Sequence, residues 1–217
     1  MMDVKELIAR RIAAELQDGD LVNLGIGIPT LVSNYIPAGV RIYFQSENGI
    51  IGMGPAPEKG MENRDLTNAG GQCITALPGS ATFDSAMSFS IIRGGHLDIT
   101  VLGGLQVDER GILANWMVPG KMVPGMGGAM DLVTGAKRVI VAMTHTSKGS
   151  PKIVRECSLP ITSNRPVDLI VTEIAVIQPT KAGLLLREKS REVTVEEIMK
   201  LTEARLIVSD NLKDMLD

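Results

Sequence analysis

The stretch Gln45-Ser46-Glu47-Asn48-Gly49-Ile50-Ile51-Gly52-Met53-Gly54-Pro55 organises the reading of this chain. A β-rich run, Val40-Arg41-Ile42-Tyr43-Phe44, leads into it. Gly49, Gly52 and Gly54 then break regular structure. Glu47 is therefore expected in the turn just past the C-terminal end of a strand, the edge where open α/β sheets bind ligands. Glycines beside a carboxylate let a large substrate approach the backbone closely. A loop glutamate is ordinarily a solvated surface group. What raises Glu47 above that is its company.

Upstream, Asp3 caps an expected helix with apolar positions Val4, Leu7, Ile8, Ile12 and Leu16, stopped near Gly19. Leu21-Val22-Asn23-Leu24 reads as a short strand, and Gly25-Ile26-Gly27-Ile28-Pro29-Thr30 as the turn after it. Pro29 suits the first turn of a helix over 30–35. Downstream, residues 81–89 read as helical, with Phe83 and Phe89 in the core. Apolar runs at 97–102, 139–143, 169–172, 184–186 and 206–208 read as strands, and 129–133 and 195–202 as helices. Between Ala114 and Gly128 lies a segment rich in glycine and proline. Strands that are apolar throughout, alternating with short helices, indicate an α/β fold. It would be an open mixed, largely parallel sheet with helices on both faces. No clean linker divides residues 1–217, so a single domain is expected.

The totals exclude several classes. A net charge of -3 and 3% aromatics give no signal for nucleic-acid binding. No apolar run is long enough to span a bilayer. Met1-Met2-Asp3-Val4-Lys5-Glu6 carries acids and no apolar core, so no signal peptide is expected. Cys73 and Cys157 form neither a disulfide framework nor a metal-ligand spacing and read as reduced residues of a cytoplasmic protein. No metal site is expected, because no Cys, His and acid residues cluster.

Three glycine-rich turns follow apolar runs: after Leu24, around Glu47, and before Ala129. In the third, Gly127-Gly128-Ala129 opens a helix whose outward backbone N–H groups attract developing negative charge. That is how a backbone oxyanion hole is built, and a simple capping loop would read the same way. Asn23 ends its strand and can offer a side-chain amide to the same oxygen, or bond its own turn. Gly25-x-Gly27 invites a dinucleotide-binding reading, with Glu47 near the ribose acid position, but Thr30 stands where Gly or Ala belongs. His96 and His145 are the only histidines; His145, just past the 139–143 strand, could serve catalysis but reads more simply as a surface or satisfied turn residue. There is no Gly-x-Ser-x-Gly elbow and no P-loop. Chemistry here must run on a carboxylate and backbone dipoles, and an ionised carboxylate attacks an activated acyl group without a general base.

Ser46-Glu47-Asn48-Gly49 resembles the signature of the β subunit of family I CoA-transferases, of the 3-oxoacid type. So do Asn23-Leu24-Gly25-Ile26-Gly27-Ile28-Pro29, Phe83-Asp84-Ser85-Ala86-Met87-Ser88-Phe89, Ile92-Arg93-Gly94-Gly95-His96, Ala114-Asn115-Trp116 and Met126-Gly127-Gly128-Ala129-Met130-Asp131-Leu132. The resemblance covers nearly the whole chain. It implies the CoA-transferase fold, similar to that of ribose-5-phosphate isomerase. It implies Glu47 as the catalytic nucleophile, and Asn23, Gly128 and Ala129 around the acyl oxygen. The loops at Gly25, Gly27, Asn48 and Gly49 would admit the substrate. It further implies no cofactor beyond coenzyme A as substrate and covalent intermediate, and a partner α subunit in an α2β2 hetero-oligomer. CoA would pass between an acyl-CoA and a carboxylic acid, such as acetoacetate or a short-chain acid, by ping-pong steps through a glutamyl-CoA thioester. A non-catalytic module of the same fold that binds CoA or a sugar phosphate is the alternative.

Overall fold

The computed structural model describes residues 3–120 and 125–215. Met1, Met2, Leu216, Asp217 and residues 121–124 of the glycine- and proline-rich segment lie outside them. In chain order the elements are α1 (Val4–Ala13), β1 (Leu21–Leu24), a 3₁₀ helix (Ile28–Tyr35), β2 (Tyr43–Ser46), β3 (Ile50–Met53), β4 (Ala76–Thr82), α2 (Ser85–Arg93), β5 (Ile99–Gly103), β6 (Gln106–Asp108), β7 (Leu113–Ala114), α3 (Ala129–Gly135), β8 (Arg138–Ala142), β9 (Thr146–Ser147), β10 (Ser150–Pro151), β11 (Ile153–Val154), β12 (Leu169–Val171), β13 (Ala175–Thr180), β14 (Gly183–Lys189), α4 (Val195–Leu201) and β15 (Leu206–Asp214).

Ten strands form one mixed sheet in the order β15-β14-β13-β12-β8-β5-β1-β2-β3-β4. Pairing is parallel throughout the centre, from β12 through β8, β5 and β1 to β2. Antiparallel hairpins extend it on both sides, through β3 and β4 at one end and β13 and β14 at the other. The central strands β5, β8 and β12 are buried on both faces, which is why they are apolar at nearly every position. Their side chains alternate between two cores. Val139 and Val141 of β8 pack with Ile92 of α2, Leu132 of α3 and Ile198 of α4. Ile140 and Ala142 of the same strand pack with Ile8 and Ile12 of α1 and Val32 of the 3₁₀ helix. Helices therefore cover both faces, as the apolar strands require.

The topology also fixes where a ligand can enter. From β1 the chain moves to β2 on one side, whereas β5, on the other side of β1, leads away to β8. The two crossovers diverge at the C-terminal ends of β1 and β5 and leave a crevice there.

Several local expectations need correction. The run Val40-Arg41-Ile42 is not strand. Gly19 donates to the Arg41 carbonyl at 2.8 Å, and Arg41 N–H donates to Asp18 Oδ1 at 2.7 Å, so this segment bonds the turn beside it. Glycine does not end regular structure after Glu47 either, because Ile50–Met53 forms β3. Gly52 takes φ +82°, and an added Cβ there would meet Ser80 of β4 at 2.9 Å, so glycine permits the close pairing. Helix α2 begins at Ser85 rather than at residue 81, because Asp84 caps it by accepting the Met87 N–H at 2.8 Å. Phe83 and Phe89 are both half-buried rather than fully enclosed. Helix α1 ends at Ala13, and Asp3 makes no side-chain cap.

Candidate active site

β2 ends at Ser46, and residues 47–49 turn the chain into antiparallel β3. Glu47 thus stands at the C-terminal edge of the parallel sheet, as expected. The turn closes with Gly49 N–H donating to the Ser46 carbonyl at 3.0 Å. It faces the crevice between β1 and β5, a cavity of about 580 Å³. Gly25 and Leu24 at the end of β1, Leu102 and Gly103 at the end of β5, and Gly127 and Gly128 before α3 border it. Among the described residues that line it, Glu47 is the only ionisable side chain.

Asn23 is the register partner of Gln45 on the neighbouring parallel strand. Its Nδ2 donates to Glu47 Oε2 at 3.0 Å and to Gln45 Oε1 at 2.8 Å. The pairing of β1 with β5 continues past Leu24, with Gly25 N–H donating to the Val101 carbonyl at 2.8 Å. A Cβ on Gly25 would lie 3.1 Å from that oxygen, so glycine permits the tight exit of β1. Gly27 takes φ +92° as the chain turns into the 3₁₀ helix.

Gly128 is buried and abuts the carboxylate arm: an added Cβ would lie 3.3 Å from Glu47 Cγ and 3.3 Å from Phe89 Cζ. Ala129 N–H donates to the Met126 carbonyl at 3.1 Å, which engages one of the two expected oxyanion donors in the local turn. Gly128 N–H meets no acceptor among the described residues. Arg165 fixes the far end of α3 by donating to the carbonyls of Val133 at 2.8 Å and Lys137 at 3.0 Å.

Three sets of contacts complete the site; Ser46, Asn48 and Asn115 stand in the motifs quoted above, but their partners do not show in the sequence. The segment 66–74 folds back over the Glu47 turn. Ser46 Oγ accepts the Ala69 N–H at 2.9 Å, and Asn48 Nδ2 donates to the Thr67 carbonyl at 2.7 Å. Asn68, Gly70 and Gln72 thereby form one wall of the cavity. Opposite, Asn115 lines the cavity and accepts from Thr162 Oγ1 at 2.7 Å. Behind Asn23, Gln45 Nε2 donates to Ser88 Oγ at 3.0 Å. Each link crosses between elements.

The histidines lie elsewhere. His96 is exposed, and His145 is fully buried between Thr172 Oγ1 at 3.0 Å and Thr202 Oγ1 at 2.9 Å. The Thr202 hydroxyl donates to the Ile198 carbonyl at 2.7 Å, so it accepts from His145 Nε2–H and leaves Nδ1 to accept. A neutral imidazole satisfies this network, and burial pushes its pKa down to about 4. Cys73 and Cys157 are free thiols, and no helix among the described residues is long and apolar enough to cross a membrane.

Known proteins resemble this chain over nearly its whole length. The profile of the family described as Coenzyme A transferase matches residues 5–201. The beta subunit of the acetate CoA-transferase of Haemophilus influenzae is 57% identical over 99% of this chain and 96% of its own length. One subunit of a probable succinyl-CoA:3-ketoacid coenzyme A transferase of Bacillus subtilis is 50% identical over 98% of this chain and 99% of its own length. Among solved structures, the apoenzyme of an acyl-CoA transferase from Escherichia coli O157:H7 superposes with a TM-score of 0.78 at 25% identity. That match covers 98% of this chain, which spans only 43% of the longer protein.

Proposed function

The chain belongs to the coenzyme A transferase family, whose reaction moves CoA between an acyl-CoA and a carboxylic acid, and we propose that here the transfer runs through Glu47. One observation carries this: the only ionisable side chain among the described residues lining the crevice at the strand ends is a carboxylate held by a buried amide. A Glu47 oxygen attacks the thioester carbonyl. The C–S bond breaks, and a mixed anhydride forms with release of CoA thiolate. The thiolate then attacks the glutamyl carbonyl, the C–O bond to the acyl group breaks, and the first acid leaves as its carboxylate. Glu47 now carries CoA as a thioester. A second acid attacks that carbonyl and expels the thiolate, which takes the new acyl group and frees Glu47. One thioester replaces another, so no external energy source is needed. Contacts to the remote CoA body can drive the strained steps.

Asn23 Nδ2 and the Gly128 N–H are the donors for the oxygens that gain charge in these steps, with the Ala129 amide completing the turn that aims them. Gly25, Gly27, Asn48 and Gly49 shape the loops through which the thioester approaches. Residues 1–217 act as one unit of β type and require an α subunit to complete the site, consistent with the naming of the relatives as subunits. The cavity suits a short acyl group, with Leu24, Leu102 and Leu132 on its apolar side. The test is mass spectrometry of the acid-quenched complex of this chain with its α partner, incubated with acyl-CoA and no acceptor acid. A CoA adduct on the peptide containing Ser46-Glu47-Asn48 is expected. An adduct elsewhere, or one that survives Glu47→Ala, overturns the proposal.

A further inference from the structure

Behind the nucleophile lies a row of buried polar side chains. Asn23 is 1% exposed, Gln45 1% and Ser88 0%. Asn23 and Gln45 sit at matched register on adjacent parallel strands, on the face that α2 covers, and Ser88 points from α2 toward them. The hydrogen bonds form a chain. Gln45 Nε2 donates to Ser88 Oγ at 3.0 Å, Gln45 Oε1 accepts from Asn23 Nδ2 at 2.8 Å, and the same Nδ2 donates to Glu47 Oε2 at 3.0 Å.

The orientation of the Asn23 amide follows from its neighbours. Its Nδ2 faces three oxygens: Gln45 Oε1, the Gln45 backbone carbonyl at 3.3 Å, and the Glu47 carboxylate. The last two can only accept. Turning the amide over would set its carbonyl oxygen against all of them. The arrangement has a penalty, because Asn23 Oδ1 is buried with no hydrogen-bond partner among the described residues. A core built for stability alone would place apolar side chains here and avoid an unmet acceptor.

We propose that Gln45 and Ser88 are positioning residues that hold the Asn23 amide with its NH2 group aimed at Glu47 throughout the transfer. The inference rests on Glu47 as the nucleophile. The Glu47 side chain changes from carboxylate to anhydride to thioester. A freely turning Asn23 would follow those changes and lose alignment. Gln45 ties it to β2, and Ser88 ties Gln45 to α2. The next residue on α2, Phe89, packs where an added Gly128 Cβ would go. One helix therefore backs both the Asn23–Gln45 pair and Gly128, on either side of the carboxylate arm.

The experiment is a double-mutant cycle in the complex with the α subunit, reading the rate of glutamyl-CoA formation. Acetyl-, acetoacetyl- and succinyl-CoA are tried as donors, and the fastest with the wild type is used. Gln45→Leu and Ser88→Ala are each expected to slow adduct formation on the order of 10- to 100-fold, the scale of a small misplacement of reacting groups. KM for the acyl-CoA should stay within about twofold, since binding is untouched. In an Asn23→Ala background, Gln45→Leu should add no further loss, because its only route to the chemistry is gone. Losses that multiply, or a Gln45→Leu rate equal to wild type, overturn the proposal. If Gln45→Leu does not fold, Ser88→Ala completes the same cycle, since alanine suits a helix. An adduct that persists in Glu47→Ala would instead refute the nucleophile, an outcome distinct from failure of the cycle.

Discussion

A Cβ added to Gly49 would stand 2.0 Å from the Phe83 carbonyl oxygen. Gly49 also takes φ +126°, and its own carbonyl accepts the Phe83 N–H at 2.9 Å. The turn that carries Glu47 is thus locked to the segment that enters α2. Gly49→Ala combines backbone strain with a backbone collision and should destabilise the protein by more than the roughly 1–3 kcal/mol of strain alone. Gly39 is the control: it takes φ +85°, and a Cβ there would find nothing within 4 Å, so Gly39→Ala should show about 1–2 kcal/mol of strain only. Urea denaturation of both variants checks this. Equal midpoints would mean the contact at Phe83 is easily relieved.

Gly128 presents a different constraint. Its φ of -82° is ordinary, so substitution meets crowding rather than backbone strain. A methyl at 3.3 Å from Glu47 Cγ and Phe89 Cζ forces small shifts, and a branched side chain forces larger ones. Gly128→Ala should lower kcat modestly. Gly128→Val should lower it roughly 10²-fold or more, the scale of losing one oxyanion donor. Steady-state kinetics of the paired subunits decide the matter, and near-normal turnover in Gly128→Val would reduce the loop to a helix cap.

The parts of the fold legible in the sequence are those whose pattern is local. Val139-Ile140-Val141 is apolar because β8 is covered on both faces, and Gly25 and Gly49 mark turns because other residues fail there. β4 escapes such a reading for the opposite reason. It lies at the sheet edge, is mostly exposed, and contains Pro78 and Gly79, so it has neither an apolar run nor clean alternation. Glu47 can be found from its turn and its glycines. The linked role of Gln45 and Ser88 cannot, although both stand in quoted motifs, because it lies in a hydrogen bond between residues 43 positions apart. Segment 66–74 likewise joins the site only through Ser46 and Asn48, whose partners no spacing rule reveals.

Acid should weaken the protein in two separable steps. Burial pushes the His145 pKa down to about 4 from 6.5, so the folded state favours the neutral ring. The unfolded chain then binds the proton more readily. Stability is fully present above about pH 6.5 and falls as pH drops toward 4, by on the order of 3 kcal/mol in all. Burial pushes the Glu15 carboxyl up, but hydrogen bonds from Arg138 and Arg11 outweigh it and hold the group below its ordinary 4.5. Its contribution is present above that value and is lost at lower pH. His145→Gln should flatten the upper part of the acid limb and leave the lower part in place. Denaturant midpoints measured from pH 8 to well below 4 provide the check, and an unchanged upper slope would show that His145 takes up its proton in the folded state as easily as in the unfolded chain.

The geometry around Glu47 makes charge and reach separable. Asn23 cannot follow a shorter side chain, because it is buried and held by Gln45 Oε1 at 2.8 Å. Glu47→Asp keeps the charge but withdraws the carboxylate by one methylene from both Asn23 and the incoming thioester. Activity should fall on the order of 10²-fold or more, as expected when a nucleophile misses its attack position. Glu47→Ala should remove both turnover and the CoA adduct. The only hydrogen bond to its carboxylate from the described residues is that of Asn23, so either change should move stability by no more than about 1.5 kcal/mol. Adduct formation by quenched mass spectrometry, set beside thermal denaturation of the same samples, tests both halves. A Glu47→Asp variant with wild-type turnover would mean that position matters little and that charge alone suffices. A strongly destabilised Glu47→Ala would mean that the residue serves the fold as well as the reaction.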